Sequence, residues 1–188
     1  MQNIEPYFGW RQLYSTEEDE YSPYYGKEYS EFEYVDTIYN HYIHPQWDSI
    51  ESESLFVKVL YAEYEEGYAF IELIGEWNDA INNDIEYLKG NLLEILISSG
   101  INEIILIGEN VLNFHASDDC YYEELREELE EGFIVGINFS EHVVSEFIYN
   151  QINHFMQLGE NFEIENWRSF HPRELLKLIK ERMDHFID

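Results

Sequence analysis

The chain has 188 residues, of which 40 are Asp or Glu and only 10 are Lys or Arg, so its formal net charge at pH 7 is -30. Proteins that bind nucleic acid or an anionic membrane surface use Lys and Arg to neutralise negative charge, so this composition argues against both as direct partners. Because 45% of the residues are hydrophobic and 17% are aromatic, the chain is predicted to fold rather than to remain disordered. A chain of this length can bury a large core, and we expect one domain spanning residues 1–188.

Cys120 is the only cysteine, so it cannot form a disulfide within the chain. A free thiol of this kind is typical of a reducing compartment. The first ten residues contain no cationic start followed by an apolar run, and no segment has the roughly 18 apolar residues of a membrane span. These features together predict a cytoplasmic protein.

Residues 1–53 are rich in acid and tyrosine and show no sustained hydrophobic period. They contain nine of the sixteen tyrosines and three of the four prolines. Because aromatic rings favour burial, we expect an irregular segment with at most one short helix, which wraps over the domain with its rings inward and its carboxylates outward. The alternative is a recognition arm whose rings bind a partner.

Residues 54–157 carry the pattern of an α/β core. Apolar residues alternate over 55–61 and recur over 67–74, which predicts a β-hairpin. Asn78 can then cap a helix that ends just before Gly100, which would serve as its C-terminal cap. The inward stripe predicted for this helix consists of Ile81, Ile85, Leu88, Leu92 and Leu96.

Two further strands and two helices complete the predicted core. Residues 101–107 and 132–139 are apolar runs typical of strands that are buried on both faces. Ser117 is predicted to begin a short acidic helix through residue 131, and Ser140 to begin a helix after the second strand. The inward side chains predicted for the latter helix are Val144, Phe147, Ile148, Ile152 and Phe155. Strands and helices that alternate after a hairpin imply an α/β fold with a mixed sheet, right-handed crossovers and packed helices.

Residues 158–188 are predicted to be an appendage, with a short strand at 162–164 and a helix that begins at Pro172. The apolar residues of this helix are Leu175, Leu176, Ile179, Met183 and Phe186. Residues 1–150 contain 33 acidic and 5 basic side chains, a net charge of -28, whereas 151–188 contain 7 and 5, a net charge of -2. We therefore expect this tail to dock on the acidic body of its own chain, and a homo-oligomer held by the same charges is the alternative.

The order of elements over residues 55–157 resembles that of the STAS domain of anti-sigma-factor antagonists. The segment 108–117, expected to be the loop after the third strand, is similar in place to the loop that carries the phosphorylatable serine of that family. The resemblance implies Ser117 as the matching position. The family pattern has Asp before the serine and Gly soon after it, whereas here Ala116 precedes Ser117 and two aspartates follow, whose charge would repel a phosphate.

The whole chain also resembles an uncharacterised family of acidic bacterial proteins, through the segments 109–115 and 118–124. This second resemblance implies no activity.

The best candidate site in the sequence follows the buried run at 101–107. In α/β sheets, ligands bind beyond the carboxyl ends of parallel strands, and six residues with polar or reactive side chains follow this one: Asn113, His115, Ser117, Asp118, Asp119 and Cys120. A histidine with carboxylates could hold a divalent transition metal, which makes His115, Asp118 and Asp119 candidate metal ligands. The alternatives are that Ser117 and Asp118 cap a helix, or that the segment binds a partner.

Nucleotide-binding and common hydrolase motifs are absent from the sequence, and we predict no cofactor and no catalytic residue. The charge favours a non-enzymatic binding or regulatory module that engages a basic protein partner through an acidic surface. Two alternatives stay open. One is an immunity or DNA-mimic inhibitor of a nucleic-acid-binding protein, and the other is a metal-dependent enzyme at residues 115–120.

Overall fold

The computed structural model describes residues 4–184 and has a mixed β-sheet at its centre. An antiparallel ribbon of β1 (Thr37–Ile38) and β2 (His41–Tyr42) precedes this sheet. The strands of the sheet lie side by side in chain order: β3 (Asp48–Ser49), β4 (Leu55–Glu63), β5 (Tyr68–Asn78), β6 (Glu103–His115) and β7 (Phe133–Ile137). β3, β4 and β5 pair antiparallel, whereas β5, β6 and β7 pair parallel. The predicted mixed sheet of a hairpin and parallel strands is confirmed.

The described residues also form six α-helices: α1 (Asp79–Asn82), α2 (Asp84–Leu88), α3 (Glu94–Ser98), α4 (Cys120–Glu128), α5 (Glu141–Tyr149) and α6 (Pro172–Asp184). A π-helical turn, Lys89–Leu93, joins α2 to α3. Within residues 4–184, no helix combines the length and the apolar character that crossing a membrane would require.

The sheet is covered on both faces. Helices α2 to α5 pack on one face, where Leu88 and Phe147 are fully buried in the larger apolar cluster. Helix α6 and the N-terminal segment cover the other face, where Trp10 packs against both Phe70 and Trp167. Because both faces are covered, every residue of β5 is buried, including its two glutamates.

The helix predicted after β5 is interrupted. The cap is as predicted, because the Asn78 side-chain oxygen accepts a hydrogen bond of 3.0 Å from the Ile81 backbone N–H. However, Asn83 adopts a left-handed conformation, with φ of 55°, which separates α1 from α2. Ile81 is 82% exposed, so its predicted inward position is wrong. The other four residues of the predicted stripe are buried in the core, since the later turns of the helix do face the sheet.

Strand β6 is longer than the pattern indicated. Residues 108–115, predicted to be part of a loop, continue the strand and pair with β5, with Trp77 opposite Phe114 and Asn78 opposite His115. The extension forms because β5 has eleven residues and offers pairing partners along its whole length, while Val111 and Phe114 turn inward. The predicted loop is therefore wrong for residues 108–115.

Three smaller predictions need correction. The N-cap of α4 is Asp119, not Ser117, and the Asp118 side chain accepts a hydrogen bond of 3.3 Å from the Cys120 N–H. Ile148 in α5 is half exposed, because the inward side of this helix is set by Val143 and Phe147. The strand predicted at 162–164 is replaced by a 3-10 turn, Glu160–Phe162, where the Phe162 carbonyl accepts a single hydrogen bond from the chain after β7. Phe186, predicted to be apolar on α6, lies outside the described residues.

The N-terminal segment is irregular apart from β1, β2 and β3, and it has no helix over residues 4–53. It wraps over the sheet, with Trp10 and Trp47 buried. The prediction that its rings turn inward holds only in part, because several tyrosines, among them Tyr21, Tyr25 and Tyr39, are more than half exposed.

The basic C-terminal segment docks on its own chain. Arg173 contacts Glu66 at 2.8 Å in the turn between β4 and β5. Lys180 contacts Glu103 at 2.7 Å at the start of β6. Beneath these ion pairs, α6 buries its apolar side against the sheet.

Candidate functional site

The predicted site segment is exposed, and its members do not converge. Asn113 lies on an exposed part of β6, and Ser117, Asp118 and Asp119 follow the strand on the surface. Cys120 begins α4 with an exposed thiol, whose pKa is raised by its hydrogen bond to the Asp118 carboxylate. Within residues 4–184, no group of three or more His, Cys, Asp or Glu side chains has the arrangement needed to hold a metal ion. His115, Asp118 and Asp119 thus do not form a preassembled metal centre.

His115 has a different partner, which the sequence did not indicate. Its Nε2 lies 2.8 Å from Oε1 of Glu76, a buried carboxylate on the neighbouring strand β5. The Tyr39 hydroxyl from the N-terminal segment donates a hydrogen bond to the other oxygen of Glu76. At the carboxyl end of β5, Glu76 therefore contacts β6 through His115 and the N-terminal segment through Tyr39.

An open groove of about 600 Å³ lies beside Glu76. Its walls are the β1–β2 ribbon, the chain before β4 and helix α1. The charged residues that line it are Asp36, Glu53 and Glu76, and no Lys or Arg lines it. Two aliphatic side chains on its rim are largely exposed, Val35 at 78% and Ile81 at 82%. The groove therefore combines negative charge with apolar surface.

The floor of the groove is built on Asp84, which is completely buried at the start of α2. One oxygen accepts hydrogen bonds from the Ser54 hydroxyl at 2.8 Å and from the Asn78 N–H at 2.6 Å. The Ser52 hydroxyl donates to the other oxygen. Burial raises the pKa of Asp84, and these hydrogen bonds offset part of that rise.

Asp79 supports the break between α1 and α2 from the side of the core. One of its oxygens accepts hydrogen bonds from the Trp77 Nε1–H at 3.0 Å and the Ile85 N–H at 2.8 Å, and the other accepts from the Tyr122 hydroxyl at 2.6 Å. Burial raises the pKa of Asp79 to about 6, although the Tyr122 hydrogen bond lowers it in part. Because both carboxylates are fully hydrogen-bonded, their role is structural: they hold α1 and α2 apart and fix one wall of the groove.

The sequence did contain a signal for this break. Residues 78–84 include five Asn or Asp residues, which hydrogen-bond local backbone groups and favour caps and turns over helix interiors. The apolar period that continues on either side masked this signal.

A second charged cluster lies farther from the carboxyl end of β5, where the N-terminal segment meets the chain before α6. Glu72 on β5 is 1% exposed and accepts a hydrogen bond of 2.7 Å from the Tyr7 N–H. Arg168 lies 3.9 Å from Glu72 and 2.5 Å from Glu109, and it packs 4.5 Å from the centre of the Trp167 ring. Burial raises the pKa of Glu72 to about 7, although the Tyr7 N–H and Arg168 lower it in part. This cluster joins the N-terminal segment, through Tyr7, to the C-terminal segment, through Arg168.

Every Lys and Arg of the chain contacts an oxygen of the chain itself. Seven form ion pairs with Asp or Glu: Lys27, Lys58, Lys89, Arg168, Arg173, Lys177 and Lys180. The other three, Arg11, Arg126 and Arg182, donate to amide or carbonyl oxygens. Since only ten basic side chains face forty acidic ones, most surface carboxylates have no cation beside them.

No protein-family model matches this chain, and no curated protein matches it.

Proposed function

We propose that this protein is a non-enzymatic binding or regulatory module that engages a basic protein partner through its acidic surface. The proposal rests on one observation, which is that the basic side chains are occupied by contacts within the chain. Each Lys and Arg already contacts the chain itself, so most of the exposed carboxylates have no cation beside them. Such a surface attracts a basic partner and accelerates association, and the effect weakens as salt is added.

Exposed rings and aliphatic side chains would supply the short-range part of the binding energy. Electrostatic steering sets the association rate, whereas tight binding requires buried anchors. Tyr21, Tyr25, Phe32 and Tyr39 of the N-terminal segment are exposed by more than half. This arrangement supports the alternative of a recognition arm more than that of a fully buried wrap. The free Cys120 is compatible with the cytoplasm, which we propose as the site of action.

A DNA-mimic inhibitor is the competing version of this proposal. It would need an uninterrupted row of carboxylates spaced like phosphates. Helix α4 is the most acidic helix on the surface, but Lys89 contacts two of its glutamates, Glu124 at 3.4 Å and Glu128 at 2.9 Å. This cation interrupts the row, which favours a general acidic binding surface over a DNA mimic.

The test is affinity capture of partners by the immobilised full-length protein, followed by elution with rising salt. We expect a basic protein to be retained and then to elute steeply as the ionic strength increases. The captured protein is then purified, and its dissociation constant is measured at several salt concentrations, with and without competing double-stranded DNA. Competition by DNA would select the DNA-mimic version. A failure to capture any salt-sensitive partner would refute both acidic-surface proposals.

A further inference from the structure

We propose that the groove beside Glu76 is the binding site for a short basic segment of the partner protein, in which a Lys or Arg lies next to an apolar residue. The cation would contact Glu53 and Glu76, and the apolar side chain would pack on Ile81 and Val35. This inference rests on the proposed function and assigns a place on the surface to it.

The acidic lining of the groove accounts for the Lys or Arg of the proposed ligand. The groove of about 600 Å³ has room for several side chains, and all of its charged lining residues are acidic. Glu76 is 5% exposed, so its charge is screened less by water than that of an ordinary surface glutamate. Its present hydrogen-bond partners are a tyrosine hydroxyl and an imidazole, and no Lys or Arg is paired with it among the described residues. A cation that enters the groove would supply the countercharge that the chain itself does not provide.

The exposed aliphatic side chains on the rim account for the apolar residue of the proposed ligand. A continuous helix after β5 would have turned Ile81 toward the core. Instead, Asn83 adopts a left-handed conformation, and two carboxylates, Asp79 and Asp84, are buried to hold the break. Burial of carboxylates is unfavourable even when they are hydrogen-bonded, so the fold gives up stability to keep this wall in place. Exposed apolar surface beside a polar groove is typical of a protein interaction site.

The groove and the hydrogen-bonded network below it therefore have separate roles. Asp84 and its serine partners are saturated with hydrogen bonds and shape the floor. Glu53 and Ile81 make no side-chain hydrogen bond or ion pair within the described chain, and both are exposed. They can be substituted without disturbing the fold.

The test is fluorescence anisotropy with a labelled peptide of alternating Arg and Leu at low ionic strength. A peptide of alternating Arg and Ser has the same charge without the apolar residues. Two variants alter the groove, Glu53→Gln and Ile81→Ser. Each has a matched control: Glu65→Gln lies at the opposite end of β4, and Ile148→Ser removes another exposed isoleucine on a helix.

We expect each groove variant to weaken binding of the Arg-Leu peptide about fivefold, while the matched control variants bind like the wild type. Ile81→Ser should not change binding of the Arg-Ser peptide, which we expect to be the weaker ligand. If all four variants bind alike, or if the wild type does not bind the Arg-Leu peptide, the groove is not the site. The salt-dependent capture of a basic partner would still stand in that case, so the two proposals can fail separately.

Discussion

Glu72 provides a direct test of how burial and charge compete in this sheet. The carboxyl group is 1% exposed, and burial raises its pKa from 4.5 to about 7. The unfolded chain therefore releases this proton at lower pH than the folded chain does. The contribution of the protonated group to stability is fully present below about pH 4.5 and is lost as the pH rises through about 7.

The size of the effect follows from the shift. Each pKa unit corresponds to about 1.4 kcal/mol, so the rise of the Glu72 pKa from 4.5 to about 7 gives a loss of about 3 kcal/mol across this interval. Glu72→Gln keeps an oxygen that can accept the Tyr7 N–H and removes the ionisation. The variant should therefore gain stability relative to the wild type as the pH increases, with the difference growing by about 3 kcal/mol from about pH 5 to about pH 8.

The assay is urea unfolding followed by tryptophan fluorescence, since Trp10 and Trp167 lie in the apolar cluster next to Glu72. Urea is preferred to guanidinium because it does not screen charges. Glu65→Gln, an exposed carboxylate in the turn after β4, is the control, and its difference from the wild type should not change with pH. A Glu72→Gln variant that is less stable than the wild type at about pH 8 would refute the reasoning, because Arg168 would then hold Glu72 ionised at a net gain.

Three further variants test other parts of the structure by the same urea assay. Asp79→Ala leaves three buried donors without an acceptor, so we expect a loss of about 3 kcal/mol or more, and a loss under about 1 kcal/mol would contradict the structural role. Gly75→Ala should destabilise by about 3 kcal/mol or more, because Gly75 has a φ of 116° and an added Cβ would lie 2.1 Å from the Ser54 carbonyl oxygen. Lys89→Met leaves three glutamates facing one another, and we expect a loss of about 1 kcal/mol at low salt that decreases in high salt; a salt-independent loss would indicate lost packing instead.

Elements defined by local periodicity were predictable from the sequence. Each of these elements has a recognisable pattern within one segment of the sequence. They are the β4–β5 hairpin, the buried starts of β6 and β7, and the helix at Pro172. The period of apolar residues decides these elements because each side chain faces either the core or water. The fold class followed from their order.

Elements that depend on distant partners were not predictable in this way. The second half of β6 is a strand only because β5 continues beside it to Asn78. Asp84 is tolerated inside the protein only because Ser52 and Ser54, thirty or more residues earlier, donate to it. His115 was singled out for the residues that follow it, yet its partner is Glu76 on another strand.

The few basic residues and the many acidic residues of this protein have different roles. The basic residues stabilise the fold, whereas exposed carboxylates are left to bind a partner. Lys58 holds the buried Asp48 of β3 against β4, Arg168 joins the two chain ends, and Lys180 fixes α6 to the sheet. Each of these cations stabilises a junction between segments that the backbone alone would leave loosely attached. Glu53 in the groove makes no such junction, and its loss should leave the fold intact. Substitution of basic residues should therefore lower stability first, whereas substitution of Glu53 should lower partner binding at unchanged stability, and it is this separation that allows the acidic surface to be tested as a binding surface.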